Sequence, residues 1–75
     1  MKRKRSLSLH GHQTSVALEP VFWDVIDEVV VREGCSMAGL IQRIDDDRTD
    51  GELESGLASY LRVWCMRELR ARLAR

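Results

Sequence analysis

The sequence predicts a mainly α-helical domain that opens on one β-strand per chain and is completed by a second copy of itself. Three observations lead there. Thr14-Ser15-Val16-Ala17-Leu18-Glu19 alternates apolar and polar residues with the period of a strand. From Pro20 onward apolar residues recur at helical spacing almost to the end of the chain. The chain has only 75 residues, and a core of that size rarely yields more than ~3–5 kcal/mol. Hydrophobic residues at 44% and charged residues at 32% argue for a folded domain, and aromatics at 5% require an aliphatic core. Two cysteines cannot build a disulfide framework. An obligate homodimer is therefore expected.

The first element is the strand. Thr14, Val16 and Leu18 face one way, and Gln13, Ser15 and Ala17 face the other. A lone strand leaves its backbone groups without partners. Its partner is either residues 5–10 of the same chain, where Ser6-Leu7-Ser8-Leu9 alternates before Gly11, or the same strand of a second chain. The second option also supplies the missing stability. Residues 1–10 are thus read as a basic N-terminal arm with a short extra strand as an option, and residues 11–75 as the domain.

Pro20 starts the first helix at a position that needs no amide donor. Phe22, Val25, Ile26, Val29 and Val30 form its apolar stripe, and Gly34 ends it near Glu33. Trp23 and Val31 lie off the stripe, so they are either exposed or covered by another surface. Ser36 is the N-cap expected for a second helix, in which Met37, Leu40, Ile41 and Ile44 form the stripe and Asp45-Asp46-Asp47 marks the end. Thr49 and Glu52 have capping-box spacing, which predicts a long third helix with Leu53, Leu57, Leu61, Trp64 and Leu69 reaching toward Leu73. The expected dimer core is Val16, Leu18, Phe22, Val25, Ile26, Val29, Leu40, Ile41 and Ile44.

The net charge of zero hides a segregation. Lys2, Arg3, Lys4 and Arg5 give residues 1–18 a charge of +4, residues 19–61 carry −8, and residues 62–75 carry +4. A basic arm beside a polar strand face suits phosphates, although four such residues alone more often form a solvated tail. No run of about 18 apolar residues predicts a membrane span, and the start lacks a signal peptide's apolar segment, so a cytoplasmic, nucleoid-associated location is expected. The sequence has no Gly-rich phosphate loop, nucleophile elbow or zinc-protease motif, and no enzyme activity is expected. His10 and His12 would share a face of an extended strand, but two imidazoles are half a zinc site. The acidic run reads as solvated charge, and Cys35 and Cys65 as small apolar residues. No catalytic residue, metal or cofactor is assigned.

Thr14-Ser15-Val16-Ala17-Leu18-Glu19-Pro20 with Phe22-Trp23, followed by Arg32-Glu33-Gly34-Cys35-Ser36-Met37-Ala38-Gly39-Leu40-Ile41, resembles the ribbon-helix-helix DNA-binding family, of MetJ/Arc type. Gly11-His12-Gln13-Thr14-Ser15 and Leu57-Ala58-Ser59-Tyr60-Leu61-Arg62-Val63 resemble a bacterial subgroup with an extra C-terminal helix. The resemblance implies an intertwined homodimer whose strands pair into an intermolecular antiparallel two-stranded ribbon that enters the DNA major groove. It implies base reading by Gln13, Ser15 and Ala17: Gln13 suits adenine, Ser15 is a versatile donor or acceptor, and Ala17 suits a thymine methyl. It implies a phosphate held by amides at Cys35, Ser36 and Met37, with Lys2 to Arg5 contacting flanking phosphates. Unlike the family's usual pattern, no reader is basic, so the arm must supply much of the binding.

Two functions follow as expectations. One is a sequence-specific, dimeric transcriptional repressor whose partners are double-stranded DNA and a second copy, as dimer or tetramer. The alternative is an antitoxin-type protein-interaction module, with Trp64, Met66 and Leu69 of the C-terminal helix offered to a protein partner.

Overall fold

In the computed structural model, which describes residues 1–50 and 56–74, two strands precede three helices. They are β1 (Arg3–Leu9), β2 (His12–Leu18), α1 (Pro20–Glu33), α2 (Met37–Asp50) and α3 (Leu57–Leu73). The expectation of one strand per chain is corrected: β1 pairs antiparallel with β2 of the same chain, from Arg3 opposite Leu18 to Leu9 opposite His12. Most of the basic arm is therefore strand. Leu7 and Leu9 alternate for the same reason as Val16 and Leu18, and all four are buried on one face of the hairpin.

The turn explains why the two strands meet. His10 and Gly11 have φ values of 51° and 80°, the pair of positive angles that a tight hairpin of type I′ requires. Glycine adopts this freely, and histidine is among the residues that tolerate it. Helix α2 then holds the turn: the His10 amide donates to Gln42 Oε1 at 3.2 Å. His10 Nε2 lies 3.1 Å from Asp46 Oδ1 and 3.5 Å from Asp45 Oδ2. Because His10 sits in the turn, His10 and His12 do not share a strand face.

β1 is fastened to α1 by three contacts. Trp23 Nε1 donates to the Arg3 carbonyl at 2.9 Å. The Arg5 guanidinium lies 4.5 Å from the centre of the Trp23 ring, and its two terminal nitrogens donate to the Asp27 carboxylate at 2.7 and 3.1 Å. Trp23 is consequently only 2% exposed; the surface that covers it is the chain's own first strand. Val31 takes the other alternative and is exposed.

Leu7, Leu9, Val16 and Leu18 of the hairpin meet Trp23, Val25, Ile26 and Val29 of α1, Leu40, Ile41 and Ile44 of α2, and Leu61 and Cys65 of α3. Apart from the half-buried Phe22, the residues expected in a dimer core are thus buried within one chain. Gly34 closes α1 with φ 65°, and the Cys35 amide reaches back to the Val30 carbonyl at 3.2 Å. Ser36 caps α2, its Oγ accepting the Gly39 amide at 3.0 Å.

The acidic run does not end α2. Asp45 is buried and paired with Arg48 one turn later at 2.8 Å, so the helix continues to Asp50. Thr49 is therefore helical rather than a cap, and its capping-box partner Glu52, like Leu53, lies outside the described residues. Helix α3 begins at Leu57 instead, after Gly56. It is pinned to α1 by Arg32–Glu68 at 2.7 Å and Arg72–Glu28 at 2.7 Å, and to Glu19, just before α1, by Arg62 at 2.9 Å. Some of the acids of the middle segment thus meet the arginines of the C-terminal segment across this seam.

Candidate nucleic-acid interface

Burying one face of a two-stranded sheet leaves the other to solvent, because successive side chains point to opposite faces. The register sets three outward cross-strand pairs: Lys4 opposite Ala17, Ser6 opposite Ser15, and Ser8 opposite Gln13. Five of the six are exposed and Ala17 is half-buried. The face carries no acid, is rich in short hydrogen-bonding side chains, and has its cation at the open end of the hairpin. Lys2 and Arg3 are exposed beside that end. A seven-residue strand makes the face roughly 20 Å long.

The sequence-predicted readers Gln13, Ser15 and Ala17 are thus brought together in a row on β2. Ser6 and Ser8 were not among the predicted site residues, and Lys4 was assigned only to phosphate. Their signal was the alternation of Ser6-Leu7-Ser8-Leu9, which fixes the outward parity of β1 once the turn at His10-Gly11 fixes the register. Lys4 also places a basic residue on the face that Gln13, Ser15 and Ala17 share.

Arg5, like Arg3, lies on the opposite parity from Lys4. It occupies the inner parity, stacked on Trp23 and bonded to Asp27, and its guanidinium holds the Asp27 carboxyl below the usual carboxylate range. Glu19, at the end of β2, is bonded by Arg62, which likewise lowers its proton affinity. Asp27 and Glu19, two acids beside the positive end, are therefore matched within the chain, and their repulsion of phosphate is reduced.

Cys35, Ser36 and Met37 sit at the start of α2, as expected. The Cys35 amide is used in closing α1 and the Ser36 hydroxyl in capping α2. Helix geometry leaves the amides at Met37 and Ala38 without partners inside the helix, in the position where anions are favoured.

The remaining chemistry is sparse. Burial pushes the Cys65 thiol up to about 11, with Glu68 adding to the shift. The thiol faces the Phe22 carbonyl at 3.6 Å, so it is a poor nucleophile at neutral pH. Among the described residues no group of three or more His, Cys, Asp or Glu side chains is placed to hold a metal ion. No helix among them is long and apolar enough to cross a membrane.

Fold and face together define a class: a two-stranded antiparallel ribbon mounted on helices, with its polar side turned outward. The family model of the ribbon-helix-helix domain matches residues 2–69, and the chain belongs to that family. The solved structure of an uncharacterized protein from Bordetella pertussis Tohama I is similar, with a TM-score of 0.84 at 37% identity. The alignment covers 99% of this chain and 60% of that one, so this chain spans less than two thirds of the other's length. Comparison with curated protein sequences gives no match. Ribbon-helix-helix domains in general bind DNA and dimerize.

Proposed function

We propose that the chain is a sequence-specific DNA-binding regulator that acts as a repressor, is a homodimer, and reads the major groove with the outward face of its ribbon. The observation that carries this reading is the acid-free face made by Lys4·Ala17, Ser6·Ser15 and Ser8·Gln13. β2 has one edge on β1 and no strand on its other edge among the described residues. Two copies pair antiparallel along those open edges, which makes the central β2·β2 pair the intermolecular ribbon expected of the family.

The dimensions support that division of labour. Four strands at about 4.8 Å spacing put the outer strands ~14 Å apart, whereas the major groove is about 12 Å wide. The central pair enters and offers Gln13, Ser15 and Ala17 to base edges. The outer strands lie at the groove walls and set Lys2, Arg3 and Lys4 against phosphates. The start of α2 grips a further phosphate, with Met37 the first amide in the helix proper.

Selection from a random duplex pool at fixed salt tests the reading. A recovered consensus is expected, and Gln13→Ala should weaken binding to it by about 1–3 kcal/mol while relaxing preference at one base step. Equal affinity of both proteins for consensus and scrambled duplexes would overturn the assignment of the readers.

A further inference from the structure

The outward faces of α1 and α3 match each other in spacing and oppose each other in charge. On α1, Val21, Asp24, Glu28 and Val31 fall at i, i+3, i+7 and i+10, which aligns them along one side of a helix. On α3, Val63, Met66, Arg70 and Leu73 fall at the same intervals, with Arg67 beside them. All nine residues are exposed; Val31 is 81%, Leu73 86% and Met66 51% exposed. Both stripes are about 15 Å long, by the rise of a helix.

We propose that these faces are a self-association surface, in which α3 of one copy lies antiparallel on α1 of another. Antiparallel alignment sets Val21 against Leu73, Asp24 against Arg70, Glu28 against Met66 and Val31 against Val63, with Arg67 next to the Glu28 position. Two apolar pairs then flank the Asp24–Arg70 pair. Parallel alignment would set Asp24 against Met66 and Arg70 against Glu28, a carboxylate that Arg72 already bonds, so the antiparallel form is favoured. Glu28 already bonds Arg72 of its own chain at 2.7 Å through one oxygen, and its side chain is still 60% exposed, which leaves room for a second cation. This surface uses neither the outward face of the hairpin nor the edge of β2. It would join dimers to one another, and it does not depend on what the ribbon reads.

Sedimentation velocity of the full chain over a concentration series tests it, with Arg70→Glu, Asp24→Arg and the double variant compared. All the altered side chains are exposed, and unchanged melting curves would show that the fold is retained. Each single variant should weaken assembly beyond the dimer about tenfold or more. The double variant, and an equal mixture of the two single variants, should recover it. Wild-type protein that never exceeds a dimer, singles that assemble as wild type does, or a double variant that fails to recover would each overturn the proposal. Binding to a duplex holding one site separates the two readings: its affinity should be unchanged by Arg70→Glu and weakened by Gln13→Ala.

Discussion

Arg5 and Trp23 carry more of the architecture than their neighbours because each satisfies two requirements at once. Trp23 fills the core with its ring and donates its indole N–H to a strand carbonyl. Arg5 covers that ring and brings Asp27 with it. Trp23→Phe keeps most of the packing but loses the hydrogen bond and the better cation–π partner, so a loss of about 1–2 kcal/mol is expected in urea unfolding. Trp23→Ala should cost about 3–5 kcal/mol, comparable with the whole stability of a domain this small, and should leave it unfolded at low concentration. Asp27 gives a pH dependence. Because Arg5 holds its carboxyl below the ordinary range, its contribution is complete above the unfolded carboxylate pKa of about 4 and is lost as pH falls through the lower, folded value. The side chain is 46% exposed, so solvent screening keeps the contribution to about 0.5 kcal/mol. Unfolding midpoints should fall on acidification below pH ~4, and Asp27→Asn should flatten that fall.

The elements differ in how readable they were. Gly34 and Ser36 announce the end of α1 and the start of α2 by local chemistry alone, and both do what that chemistry implies. Ser36→Ala should therefore lower stability by about 1 kcal/mol, as should Gly34→Ala, where a side chain would be forced into a left-handed conformation; thermal melts of the two variants check both. β1 was harder to read. Its first three residues are cations, which look like a solvated tail, and only the parity of Leu7 and Leu9 betrays a buried face. Its partner is set by the turn and by Trp23, a tertiary contact that no local pattern contains. The end of α2 failed for a related reason: three consecutive aspartates look like a terminus, but Asp45 is drawn inward between Arg48 and His10. The outward position of Gln13, Ser15 and Ala17 on β2 was legible from parity alone, whereas Ser6 and Ser8 became part of the face only through the cross-strand register.

At the scale of the whole molecule, a net charge of zero becomes a directed arrangement. Ion pairs of both polarities join α3 to α1 and to Glu19 just before it, and Lys2, Arg3 and Lys4 remain exposed at the open end of the ribbon. Binding should consequently fall steeply with salt, log K dropping by about 0.9 for every phosphate neutralised. Lys4→Ala should reduce that slope by roughly one contact per chain, measured by fluorescence anisotropy between low and physiological salt. The hairpin face is the claim on which the regulatory reading rests. Amide chemical-shift mapping of the labelled protein, titrated with its selected duplex, tests it most directly. The largest shifts should fall on Lys4, Ser6, Ser8, Gln13, Ser15 and Ala17, with further shifts at the start of α2. Shifts concentrated on α3, with those six amides unmoved, would contradict it.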